Sequence, residues 1–164
     1  MGKQIAVSDV AKYFLLRAKS EGKKISNKKL QKLVYYAQAW VLALTNKPLF
    51  SEKIEAWIHG PAIPSLYRKF KKYGSKPIHL DDLSSKGFSL PNNEVLDEVW
   101  RVYGKYDANY LETLTHQEDP WLHARDEMEF GESSNNEITR ESMKNYYRMK
   151  LEEIPKNETE EINS

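Results

Sequence analysis

Four histidines, His59, His79, His116 and His123, have the widest chemical repertoire in this 164-residue chain, as metal ligands or as proton carriers near neutral pH. Their spacing argues against both uses. No two stand four apart around a glutamate, and the chain has no cysteine to complete a thiolate set. The tightest grouping is His116, Glu118, Asp119 and His123. On adjoining helix ends such side chains serve more often as caps and buried hydrogen-bond anchors than as ligands. His116 is therefore expected to bond backbone where two short helices meet, fixing the Trp121 corner. No metal and no cofactor are expected. A nucleophile elbow, a phosphate-cradling glycine loop and a dinucleotide fingerprint are all missing from the sequence. The carboxylate pairs Asp81-Asp82 and Glu118-Asp119 read as solvated. In the turn Trp57-Ile58-His59-Gly60-Pro61, Gly60 permits a tight bend, Pro61 presets the helix that follows, and His59 can cap it. The expectation is a protein without catalytic activity.

The net charge of +1 conceals a division of the chain. Residues 1–80 carry 16 Lys/Arg against four acids, whereas residues 81–164 carry nine against 20, giving +12 against −11. Such a split points either to nucleic-acid contact by the basic half or to two halves that attract each other across a seam. The second reading is favoured, because a neighbouring acidic half repels phosphate. Lys23, Lys24, Lys28, Lys29 and Lys32 cluster near one helix start, and Arg68, Lys69, Lys71, Lys72 and Lys76 lie on the next helix. The order helix, strand, turn, helix over residues 27–73 is that of a winged helix. The would-be recognition helix lacks the Asn, Gln and Arg array that reads base edges, which leaves DNA as the lesser alternative.

These groups must be positioned by the elements that the apolar pattern predicts. A chain of this length can bury one core, and four Trp, ten Tyr and five Phe supply large side chains for it. Val10, Phe14, Leu15 and Ala18 follow the cap types Ser8 and Asp9 at helical spacing, and Glu21-Gly22 stops that helix. A second helix from Ser26-Asn27 to Thr45 keeps Leu30, Leu33, Val34, Ala37, Val41 and Leu44 in register, with Tyr35, Tyr36 and Trp40 widening the stripe, so it is expected to be central. Residues 53–58 alternate as a short strand. Further helices are predicted over 63–73, from Asn92 or Asn93 to Gly104, over 107–114, over 121–127 and over 140–153. Residues 77–79 and 87–90 are expected to add strands, residues 129–137 to form a loop, and residues 155–164 to be disordered. The fold class is thus mainly α, with a small element of two or three strands. The longest apolar-rich stretch, Leu33 to Leu44, is broken by Gln38 and falls short of the ~20 residues of a membrane span. The first residues lack a signal-peptide core. With no cysteine to oxidise, a cytoplasmic protein with no membrane contact is expected.

Read together, three segments resemble the Panacea antitoxin domain of the SocA-like, phage-associated family. They are Leu30 to Trp40 with Pro48-Leu-Phe50; Ile54 to Pro61 with Pro64 and Tyr67 to Gly74; and Leu96 to Trp100, Tyr103-Gly104 and Leu114 to Trp121 with Ala124-Arg125. The resemblance implies a mainly helical antitoxin that silences a cognate protein toxin by binding it, without catalysis, as a homo-oligomer or a hetero-tetramer with the toxin. A DNA-binding regulator of a phage or mobile element, or a proteolysis adaptor, are the alternatives. The Panacea-like domain is expected over residues 1–127, a partner-specific loop and helix over 128–154, and the tail beyond. Trp57, His59, Gly60, Pro61, His116, Pro120, Trp121 and Arg125 are expected to form the structural motif. Tyr67, Arg68, Lys72, Tyr146, Tyr147 and Arg148 are expected to contact the toxin, because the final tyrosine pair exceeds what a narrow helical stripe needs for packing.

Overall fold

In the computed structural model, residues 5–129 and 131–153 are described. The expected disordered tail, residues 155–164, lies outside them. The first helix, α1 (Val7–Ser20), buries Val7, Val10, Ala11, Phe14, Leu15 and Ala18. Its cap comes from elsewhere in the chain. Ser8 and Asp9 lie inside the first turn, and Glu52 Oε2 accepts the Val7 amide at 3.0 Å, placing a carboxylate at the positive end of the helix.

Helix α2 (Asn27–Thr45) is the axis of the molecule. The Ser26 hydroxyl accepts the Lys29 amide at its start, and Asn46, at φ 64°, closes its end in the left-handed region. Fifteen of its nineteen residues are buried, so it is covered on every side. Helices α1, α3 (Pro64–Phe70), α4 (Asn93–Tyr103), α5 (Ala108–Thr115) and α7 (Arg140–Glu152) all pack on it. A 3-10 turn, Lys71–Tyr73, extends α3, and the short α6 (Asp119–Ala124) packs on α7.

The sheet has three antiparallel strands in the order β2-β1-β3, formed by β1 (Ile54–Trp57), β2 (Gly60–Ala62) and β3 (Glu137–Ile138). Only β1 coincides with a predicted strand. Trp57 pairs with Gly60 across a two-residue turn, so Pro61 extends a strand, where the sequence had suggested a turn leading into a helix. Ile54 pairs with Ile138, bringing in the end of the predicted loop 129–137. Residues 77–79 and 87–90 supply no strand; Pro77 makes an isolated bridge with Ser26, and the Ile78 amide bonds Ile25 O at 2.8 Å.

Residues 137–152 join this core. β3 completes the sheet, and α7 inserts Met143 and Tyr147, both 1% exposed, against α2.

Candidate functional site

The motif residues assemble beneath the β1-β2 turn. Lys32, one turn into α2, is 2% exposed, and its ammonium donates to Pro61 O at 2.9 Å. Burial disfavours its charge and lowers its pKa to about 7; the nearby Lys28 pushes the same way, and Glu112 opposes. Gly60, at φ +104°, lies directly over this side chain. A Cβ there would stand 2.5 Å from Lys32 Cε and 2.9 Å from Thr115 Oγ1, so any other residue would be strained and would force these buried side chains to shift.

Trp121 is clamped on the far side of the turn. Its indole donates to Trp57 O at 2.8 Å, its ring stacks on His116 at 4.0 Å and 17°, and the Arg125 guanidinium lies 4.9 Å from the ring centre. Arg125 is buried and donates to Ala56 O at 2.9 Å and to Glu132 O, tying the start of the 125–136 segment to β1. His116 bonds backbone at Ile58, as the expected corner requires, and burial lowers its pKa. Pro120 is buried in the first turn of α6. His59 differs from its expected role. It caps no helix and is an exposed partner of Glu112 at 3.4 Å, beside the Lys28–Glu112 pair.

A second buried cluster joins α2 to the last two helices. Glu118 precedes α6 without capping it. Its side chain turns inward, where Oε1 accepts from Tyr36 at 2.7 Å and from Tyr147 at 3.0 Å. The Tyr147 and Tyr35 hydroxyls are 3.2 Å apart. Tyr36 stacks on Tyr103 at 3.9 Å and 6°, and Trp40 donates to the Tyr103 hydroxyl at 3.0 Å. Burial raises the Glu118 pKa to about 7, against the two phenol bonds that lower it, and burial holds Tyr35, Tyr36 and Tyr147 protonated. The chemistry available here is strong hydrogen bonding to a shielded carboxyl group that titrates near neutrality.

Polar side chains on α2 hold the remaining neighbours. Gln31 accepts the Ile63 amide at 2.9 Å, Gln38 accepts the Leu49 amide at 2.7 Å, and Asn27 donates to Tyr67 O at 3.1 Å. Sequence reasoning missed Lys32, Gln31 and Glu118 as framework residues. The available signal was a set of polar residues inside a helix whose apolar stripe already wrapped most of its surface.

The expected toxin contacts are divided between the two ends of α2. Tyr67 is half-buried edge-on to Trp57 at 4.9 Å, its carbonyl accepts from Asn27 at the start of α2, and Arg68 and Lys72 follow it in the chain, both exposed. Arg148 is exposed and donates to Ala43 O at 3.0 Å, sixteen residues further along the helix, or about 24 Å by its rise. Tyr146 is half-buried, edge-on to Tyr147. Tyr147 lies in the core, so its hydroxyl serves Glu118 and its ring serves packing; the stripe on α7 needs it. Near the Ala43 end, Trp40, Leu44, Val95, Val99, Val102 and Leu151 line an apolar groove of about 470 Å³. Leu44 is 52% and Val102 37% exposed, with Glu94, Glu98 and Arg101 along the rim.

Among the described residues, no group of three or more His, Asp or Glu is placed to hold a metal ion, and no helix is long and apolar enough to cross a membrane.

The fold and this buried frame define a class: a mainly helical module with a three-stranded sheet, organised around one enclosed helix. The family model described as "Antitoxin SocA-like, Panacea domain" matches residues 30–122, which carry Lys32, Gly60, Glu118 and Trp121, and the chain belongs to this family. The protein is similar to Antitoxin SocA of Caulobacter vibrioides (strain NA1000 / CB15N), 33% identical over 124 residues. That alignment covers 68% of this chain and 66% of the relative, so the chain spans slightly under two thirds of the relative's length. No solved structure matches. Helix α7 lies beyond the matched segment.

Proposed function

We propose that this protein is an antitoxin that neutralises a cognate protein toxin by binding it directly, without catalysis and in the cytoplasm. The observation that carries the reading is membership of an antitoxin family, with a relative named as an antitoxin at 33% identity. The structure adds a reason to look for the toxin surface outside the shared motif. The motif side chains are occupied in holding α2, the β1-β2 turn and α6 together, which leaves partner choice to exposed residues.

The groove at the Ala43 end of α2 is the favoured contact, with Leu44, Val102 and Leu151 as apolar anchors and Arg148 at its flank. Protein partners bind most strongly where apolar anchors fill a pocket ringed by polar side chains. The α3 end, with Tyr67, Arg68 and Lys72, is too basic and too far away to share that anchor cluster.

The test is co-expression of the full chain with the product of a neighbouring gene that arrests growth when expressed alone. Restored growth together with a stable co-purified complex is expected. Restored growth with no complex, or with the toxin lost only when an ATP-dependent protease is present, would overturn direct neutralisation.

A further inference from the structure

A basic surface lies at the opposite end of α2. Two lysine clusters that are some fifty residues apart in sequence meet there. The Ser26–Pro77 bridge and the bond from the Ile78 amide to Ile25 O lay residues 75–78 alongside residues 24–26. Residues 105–109 form the facing wall, and the cleft between them measures about 550 Å³. Lys24 and Lys105 line it, and the exposed Lys76 sits between the lining residues Ser75 and Pro77. Arg68, Lys69, Lys71 and Lys72 continue the same charge along α3 and the 3-10 turn.

The fold itself uses little of this charge. Lys29 is spent on Gly104 O at 2.6 Å, and Lys28 on Glu112 and Asn109. Among the described residues, Lys24, Arg68, Lys69, Lys71, Lys72, Lys76 and Lys105 have no acidic partner within ion-pair distance. Asp107 is the one acid among the cleft's lining residues, and it caps α5 by accepting the Tyr110 amide at 2.8 Å; Glu112 is paired with Lys28. Lys69, Lys72 and Lys105 lie over the rings of Phe70, Tyr73 and Tyr106, which leaves their charge uncompensated; cations without acidic partners repel one another, and a polyanion relieves that repulsion.

The cleft also has an aromatic wall. Tyr106 lines it, with the Lys105 ammonium 5.2 Å from its ring centre, and stacks on Tyr110 at 4.2 Å and 22°; Tyr110 follows the lining residue Asn109 at the cleft's margin and is 49% exposed. We infer that this cleft binds a single-stranded nucleic acid, with phosphates on Lys24, Lys76 and Lys105 and a base stacked on Tyr110 at its margin. Every base offers a ring face to an aromatic platform, whereas an acidic polypeptide offers only charge. In a duplex the bases are already stacked on one another, and α3 presents no Asn or Gln to read their edges. This inference is independent of the toxin-binding groove, which lies at the other end of α2.

The experiment is fluorescence anisotropy of the full chain with labelled twelve-nucleotide oligo-rU and oligo-dT, a twelve-pair DNA duplex and polyglutamate, each over a salt series. Binding of the single strands above the duplex and polyglutamate is expected. Its logarithmic salt slope should be near −2, at about −0.7 per neutralised phosphate. The triple variant Lys24→Ala, Lys76→Ala, Lys105→Ala should weaken binding at least tenfold and flatten the slope. Tyr110→Ala should weaken it at least about fivefold with the slope kept. All these side chains are exposed, and unchanged circular dichroism and melting temperature should confirm the fold. Preference for oligo-rU or for oligo-dT identifies the strand as RNA or DNA. Equal or tighter binding of polyglutamate reassigns the cleft to an acidic protein and overturns the inference. Tighter duplex binding, no binding in low salt, or indifference to Tyr110→Ala overturns it too.

Discussion

Lys32 passes so close beneath Gly60 that a Cβ on the glycine would stand 2.5 Å from Lys32 Cε. The enclosed lysine on α2 and the bend between β1 and β2 are one device, because each occupies space that the other must leave open. Gly60→Ala meets both that contact and a φ of +104°, which L side chains rarely adopt. It should cost about 3 kcal/mol or more of folding stability, read by urea denaturation. Gly22→Ala is the control: it ends α1 with φ +65°, as the Lys23 amide bonds Ala18 O, and its Cβ would meet nothing within 4 Å, so it should lose only about 1 kcal/mol. Equal losses at the two positions would show that crowding by Lys32 contributes nothing.

Stability should pass through a minimum near pH 7. Glu118 is raised by burial from 4.5 to about 7, so its contribution is fully present below 4.5 and is lost as pH rises through 7. Lys32 is lowered by burial from 10.5 to about 7, so its contribution is fully present above 10.5 and is lost as pH falls through 7. His116, also lowered by burial, opposes Glu118 in a narrower window below 6.5. The Glu118 limb amounts to at most roughly 3 kcal/mol. Urea midpoints at pH 5, 7 and 9 measure both limbs. Glu118→Gln should flatten the first and Lys32→Met the second. A wild-type curve that rises steadily from pH 5 to 9 would contradict the burial of Glu118 as a neutral acid.

Tyr147 should behave as a core residue. Tyr147→Phe removes one of two phenol donors to Glu118 and should cost about 1–2 kcal/mol. Tyr147→Ala also opens a cavity between α2 and α7 and should cost about 3–5 kcal/mol, exposing α7 to limited proteolysis. Loss of neutralisation by Tyr147→Ala therefore reports undocking of α7. Tyr146→Ala, on the half-buried neighbour, should leave the protease pattern unchanged.

The toxin contact can be tested at Leu44 and Val102, whose exposure lets them change without disturbing the core. Leu44→Asp and Val102→Asp should each weaken the complex at least tenfold, as loss of an apolar anchor does, with an unaltered melting temperature. Arg68→Ala with Lys72→Ala should have little effect on it. The opposite pattern would move the toxin surface to the α3 end of α2.

Much of the architecture was legible in the residues themselves. Helices α1, α2, α4 and α7 announce themselves by steps of three and four, and the broad stripe of α2 marked it as central because few of its faces were polar. Trp57, Gly60, Trp121 and Arg125 were recognisable as framework, since a tight bend, a proline-led helix and large aromatics have structural uses at those spacings. The sheet partners were harder to read: β3 is two residues long, and its pairing with Ile54 spans more than eighty positions, so no local alternation signals it.

Taken alone, the sequence determined a helical domain with a small sheet, the family and the charge division between its halves. Tertiary structure decided what the charged and aromatic residues do. It turned Glu118 inward, set Tyr147 in the core, and placed Lys32 under Gly60. It also separated the expected toxin contacts to the two ends of α2 and merged the distant lysine clusters into one face. Helical periodicity depends on neighbours within a few positions, whereas burial and charge pairing depend on which remote segment arrives at each face. That second choice is made by packing around α2.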